Sequence, residues 1–199
     1  MGKTTQVGLD PSLSRWNFRT AGRFGAKFKE VTVPEKIVDA RQFPTSAGIL
    51  FGLGLGGFFD GIVLHQILQW HHMVTSAGYP PDSVENLERN TFFDGLFHAT
   101  TYTFVVLGLL VLWRAAHRTH LWWSSKMLVG AILMGFGGFN LVEGIVDHHL
   151  LGLHHVNETV PLDEWFYWDL GFLIWGAAML AGGWTLWRNG KKETREPPR

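Results

Sequence analysis

The chain has 199 residues, ten of them Trp and none Cys, and its formal net charge is zero. The lack of cysteine excludes disulfides, thiolate metal sites, iron–sulfur clusters and cysteine nucleophiles. The balanced charge removes any bulk electrostatic case for a nucleic-acid partner, and the length suits one compact unit.

Residues 1–45 are polar and carry eight Lys/Arg. No apolar core of a secretory leader occurs before Pro44, so the first apolar segment is expected to remain as a membrane anchor. Phe24, Phe28 and Val31 recur at helical spacing beside Arg19, Arg23, Lys27 and Lys29. That pattern fits a basic helix on an anionic inner leaflet; a partner-docking arm or plain disorder fits it as well.

Four apolar segments follow, at about 46–72, 91–113, 126–153 and 165–187. Each exceeds the roughly 20 residues a helix needs to cross a hydrocarbon core, and none has Lys or Arg between its ends. The competing reading is four helices buried in a soluble protein, but 199 residues are too few to shield them from water. The link between the second and third segments is basic, with Arg114, Arg118 and Lys126. The C-terminal tail adds Arg188, Lys191, Lys192, Arg195 and Arg199. The other two links are acidic, with Asp82, Glu85 and Glu88 in one and Glu158, Asp163 and Glu164 in the other. The positive-inside rule then puts both termini in the cytoplasm. Trp70, Trp165 and Trp168 mark the outer interface of a cytoplasmic membrane, and Trp113, Trp122, Trp123, Trp184 and Trp187 the inner one.

The first and third segments resemble each other. FDGIVLHQILQWHHM at 59–73 aligns with VEGIVDHHLLGLHHV at 142–156 at an offset of 83, matching Asp60 to Glu143, His65 to His148, and His71–His72 to His154–His155. The GGF at 56–58 returns at 137–139, so Asn140–Leu141 is an insertion in the second copy, expected as a local bulge. Asp94 and Asp169 open the helices that follow. The expected fold is an all-α membrane protein, a four-transmembrane-helix bundle built from two parallel helical-hairpin repeats. Its parts are a basic arm (1–45), a transmembrane domain (46–188, repeats about 46–116 and 125–188) and a polar tail (189–199). Gly52/Gly56 and Ala131/Gly135 are small-xxx-small pairs that allow close helix packing.

Eight of the ten histidines gather with acids. At about 100° per residue on an α-helix, Asp60 and His71 share one stripe and His65 and His72 another; Glu143, Asp147 and His154, and His148 and His155, repeat this. His149 adjoins the second set. Asp94 and His98, at i and i+4, share a face from which both can reach one ion. Asp169 comes in from the fourth segment. The same geometry puts Asp60 and Glu143 about 16 Å deeper than His71 and His154. Five carboxylates inside spans have no Lys or Arg to pair with, and a lone charge at a helix centre costs about 2.5–3.5 kcal/mol. Histidine with carboxylate is a ligand set for copper, iron, zinc or manganese. The metal-site residues are therefore Asp60, His65, His71, His72, Asp94, His98, Glu143, Asp147, His148, His149, His154, His155 and Asp169. One or two ions fit. Haem ligation, a proton path and structural hydrogen bonding are the alternatives. His117 and His120 read as ordinary solvated residues.

The strings GFFDGIVLHQILQWHHM and GFNLVEGIVDHHLLGLHHV resemble those of the DUF2243 family of bacterial predicted membrane proteins, over about residues 45–190. The family carries no assigned activity. The frequent proximity of its genes to those for assembly factors of copper-containing oxidases implies copper handling in respiratory assembly. A membrane metalloenzyme, a b-type haem protein, a proton-coupled transporter and a subunit of a homo-oligomer or larger complex are the other expectations. The absence of cysteine and of a Met-rich motif counts against soft Cu(I) exchange.

Overall fold

A computed structural model describes residues 43–117 and 123–193. Nearly all of the basic arm, with its expected Phe24–Phe28–Val31 helix, lies outside the described residues, as do His120 and the last six residues.

Four rods follow one another: α1 (Thr45–Phe58) continuing into a π-helical stretch, π1 (Phe59–Ile67); α2 (Val84–Ala116); α3 (Ser125–Glu143) continuing into π2 (Gly144–Leu150); and α4 (Trp165–Glu193), entered through a 3₁₀ turn at Leu162–Glu164. No strand occurs among the described residues. All four rods are long and apolar enough to cross a membrane. Two begin with serine caps. The Ser83 hydroxyl accepts from the Asn86 N–H at 3.2 Å and the Ser124 hydroxyl from the Met127 N–H at 3.3 Å, satisfying amides that a helix start leaves without partners.

The rods pack in the order α2–α1–α3–α4, and α2 and α4 do not touch. Half of the apolar window of α1–π1 and 39% of that of α3–π2 are buried within the protein, against 11% for α2 and 17% for α4, which makes α1 and α3 the central pair. Their crossing depends on small residues. A Cβ on Gly52 would lie 2.1 Å from the Ile132 carbonyl oxygen, and one on Gly135 would lie 2.1 Å from that of Ile49, so any larger side chain would force the backbones apart. Phe43, Ala47 and Met127 form an apolar core at one end, with Trp187 donating to the Thr45 hydroxyl at 2.9 Å; Lys126 and Glu193 pair there. Leu64, Val156 and Phe172 form a second core at the other end, beside Trp70, which packs edge-on to Trp168.

The central helices are shorter and wider at that end than α-helical segments at 46–72 and 126–153. The expected bulge at Asn140–Leu141 is absent: α3 is regular there, and the widening starts at Gly144. Asn140 is packed against Gly176 of α4, where close backbone contact holds the regular winding. Each π segment then ends in the same way. The amide of Leu68 bonds the Val63 carbonyl and that of Trp70 bonds Leu64, both at 2.8–2.9 Å. Leu151 to Val146 and Leu153 to Asp147, both at 2.8 Å, repeat this. A residue with positive φ lies inside each turn, Gln69 at 50° and Gly152 at 59°. This left-handed step stops the helix and reverses the chain, so the two HH pairs sit on loops that fold back over the helix ends.

Candidate metal centre

The π winding places the first ligand pairs. Turns closed at i+5 bring residues five apart one above the other. Asp60 and His65, which α-helical geometry sets on separate stripes, meet at 3.0 Å between Oδ2 and Nε2. Glu143 Oε1 and His148 Nε2 meet at 2.9 Å for the same reason. The chain reversal places the next pair. His154 Nε2 lies 2.9 Å from Glu143 Oε1, and His71 Nε2 lies 3.9 Å from Asp60 Oδ1. The expected depth difference of about 16 Å does not exist, because the helix ends before the HH pair and the chain turns back.

Four imidazoles thus form one buried cluster, His65, His71, His148 and His154. The His71 and His154 rings stack face to face, 4.5 Å apart and within 5° of parallel. His65 stands edge-on to His71 at 4.3 Å, and His148 edge-on to His154 at 4.9 Å. Burial, with His154 alongside, pushes His71 well below its ordinary value.

Every ring is oriented from behind. His65 and His72 both donate from Nδ1 to the Asp94 carboxylate, at 2.9 and 2.8 Å, and the Met73 N–H donates to the same group at 2.9 Å. On the other side Asp169 accepts from His155 Nδ1 at 2.6 Å and the Val156 N–H at 3.0 Å, with His148 Nδ1 at 3.3 Å. His71 Nδ1 donates to the Val156 carbonyl at 2.8 Å, and His154 Nδ1 to that of Met73 at 3.2 Å, each loop holding a ring of the other. The Nδ1 atoms of His65, His71 and His154 are taken up, and that of His148 faces Asp169 without a hydrogen bond, so all four rings point Nε2 inward.

His154 Nε2 bonds Glu143 Oε1, and the other inward nitrogens lack partners. Asp60 Oδ2 and Nε2 of His65, His71 and His148 are fully buried and make no hydrogen bond, and Glu143 Oε2 is in the same state. His65 Nε2 and Asp60 Oδ2 are at hydrogen-bond distance but not aligned for one. A buried polar atom without a partner costs about 1–3 kcal/mol. Two overlapping groups have ligand atoms close enough to hold one metal ion each: His65, His71 and His154; and Glu143, His148 and His154.

A family model described as predicted membrane protein (DUF2243) matches residues 47–190, which reach into all four rods and include every residue of the cluster. The chain belongs to the DUF2243 family. No curated protein and no solved structure matches it.

Not every predicted site residue of this DUF2243 protein reaches the cluster. Asp94 and Asp169 back the rings with their carboxylates. His72 and His155 lie at the rim, with 12% and 25% of their side chains exposed. His98 does not join Asp94 at a common point. Its Nδ1 bonds the backbone carbonyl of Asp94 at 2.8 Å, and its ring packs against Gly61. His149 is exposed on π2, turned away by the same winding that brings His148 inward. Asp147 is half-buried within electrostatic reach of Glu143, His148 and His154. Sequence reasoning missed the carbonyls of Met73 and Val156, which carry no side-chain signal. It also missed Asn90, fully buried on α2, whose side-chain oxygen accepts from the Val74 N–H at 3.1 Å and steadies the loop after the first HH pair. His117 is exposed and bonds only its own helix, at the Trp113 carbonyl.

Proposed function

We propose that this protein binds transition-metal ions in a centre of two linked half-sites: Asp60, His65 and His71, and Glu143, His148 and His154. The observation that carries the reading is the orientation of the rings. The Nδ1 atoms of His65, His71 and His154 are held by a carboxylate or by carbonyls, and the Nε2 atoms of His65, His71 and His148 converge without hydrogen bonds on buried carboxylate oxygens. This is the arrangement in which outer-shell acceptors fix tautomer and raise ligand basicity. Separations of 2.9–3.9 Å between inward atoms suit neighbouring ligands on one ion at about 2.0–2.2 Å. Nitrogen and oxygen donors favour zinc, iron or Cu(II).

The contacts at 65, 71, 72 and 73 recur at 148, 154, 155 and 156, which supports reading the chain as two parallel hairpin repeats about a central axis. The acidic links beside the cluster support an orientation with the centre on the extracytoplasmic side of the cytoplasmic membrane and both termini inside. Handling copper for oxidase assembly, and oxygen chemistry at the same centre, are both served by such a site. Haem is disfavoured, because the rings pack at 4.3–4.9 Å and leave no room for a macrocycle between them.

A proton path is the second reading, favoured by the continuous run Asp60–His65–Asp94–His72. Elemental analysis of purified protein reconstituted separately with zinc, iron and copper separates the two. One or two ions per chain, lost in the His65→Ala/His148→Ala double variant and kept in His117→Ala, supports the metal centre. No stoichiometric metal in the parent protein overturns it in favour of the proton path.

A further inference from the structure

Two cavities flank the histidine cluster, and they differ in chemistry. One, of about 320 Å³, is apolar; Phe59, Val63, Tyr167, Trp168 and Trp175 line it. It is walled from the cluster by Leu64, Val156 and Phe172, all buried, with the Phe172 ring 5.6 Å from that of His148. The other, of about 420 Å³, opens between the loop at 69–81 and the segment at 158–165, and His71 and His72 form part of its own wall. Thr75, Ser76, Glu158 and Thr159 line its polar side.

Glu158 spans this opening. Its Oε1 accepts from the Ser76 hydroxyl at 2.5 Å and from the His155 N–H at 3.0 Å, tying the two loops together. A carboxylate and hydroxyls there can replace the water that a hydrated cation sheds, which an apolar wall cannot do. Beyond them stands His72, partly exposed, held by the same Asp94 carboxylate that holds buried His65. One carboxylate therefore links this ring of the vestibule wall to the centre.

The geometry points to this polar vestibule as the route by which a hydrated transition-metal cation reaches the centre, with Glu158 at its mouth and His72 the first imidazole met. The inference rests on the metal reading of the cluster and adds the path and the form of the ligand: a cation from water, not a lipophilic molecule from the bilayer.

The chain has no cysteine, so single cysteines can be placed and blocked reversibly. Thr159→Cys lies in the vestibule. Gly171→Cys lies in the apolar cavity, where an added Cβ meets nothing within 4 Å. Each full-length variant, in detergent, is labelled with a bulky methanethiosulfonate, and Co(II) uptake is followed by its visible absorption. Blocking residue 159 is expected to slow uptake at least tenfold without changing the final amount, and reduction of the label to restore the rate; blocking residue 171 is expected to change neither. Slowing at 171 but not 159, at both, or at neither overturns the route. Should Thr159→Cys not fold, Pro81→Cys on the opposite lip replaces it. Carbethoxylation of His72 by diethyl pyrocarbonate, read by mass spectrometry, separates this inference from the metal reading. If the unlabelled protein takes up no cobalt, the metal reading fails; protection of His72 by the vestibule label then still supports the route as the aqueous opening, and lack of protection overturns it.

Discussion

At the scale of single residues, the chemistry turns on which nitrogen of each imidazole is free. Asp94 and Asp169 face the outward nitrogens of four rings between them, so in the proposed metal centre their role is to aim ligands rather than to bind an ion. Asp94→Asn and Asp169→Asn are each expected to weaken metal binding about 10–100-fold while leaving stoichiometry intact. Competition titration with a chromophoric chelator measures this; a full loss of metal would instead make them direct ligands. Gln69 shows a different residue-level tension. It holds a left-handed conformation, φ 50°, that its counterpart Gly152 adopts without a Cβ penalty. Gln69→Gly is expected to stabilise the protein by about 1 kcal/mol, and Gly152→Ala to destabilise it by a similar amount. Thermal melting in detergent reads both. Gly152, placed just after an apolar run, was a visible signal for a helix stop, whereas nothing in Gln69 announces one.

At the scale of elements, the π winding joins sequence to site. Asp60 and His65, like Glu143 and His148, are five apart and meet only because the turn is one residue wider than an α-turn. Inserting an alanine after Ile62, an exposed residue of π1, would set Asp60 and His65 six apart and should swing Asp60 away from His65. The expected result is loss of metal from the first half-site with helical circular dichroism retained. Unchanged metal content would show that the register of Asp60 against His65 is dispensable. The crossing of α1 and α3 is the other critical element. Gly135→Leu, driven into the backbone of α1, is expected to abolish a folded, monodisperse protein in size-exclusion chromatography, while Gly95→Ala, with open space at its Cα, should leave the profile unchanged.

At the scale of the whole molecule, α1 and α3 are a buried spine, and α2 and α4 flank it without meeting. Each flanking helix contributes one aspartate to the back of the cluster, so the centre staples all four rods and both HH loops. Removing metal should therefore loosen the entire fold. A ligand at 1,000 times its Kd stabilises by about 4 kcal/mol, so a chelator is expected to lower the Tm of loaded protein by several degrees. It should leave the Tm of the His65→Ala/His148→Ala variant unmoved. Equal shifts in both would detach the stability from this centre.

Length, charge and apolar runs determined by themselves that the chain carries four membrane-scale helices, and the motifs at 57–73 and 138–156 determined the family. They also showed that His65, His148 and the two HH pairs keep company with acids. These features follow from composition and local spacing. Tertiary structure alone decided which atoms meet. A helical wheel assumes a uniform α-turn running to the end of the apolar segment, and here both assumptions fail at the same place. The helix widens, then stops at Gln69 and Gly152, bringing His71 to Asp60 and His154 to Glu143 while leaving His98 and His149 outside. Winding and chain reversal are set by close packing around Gly61 and Gly144 and by backbone bonds between two loops far apart in sequence, and neither leaves a periodic trace in the residues.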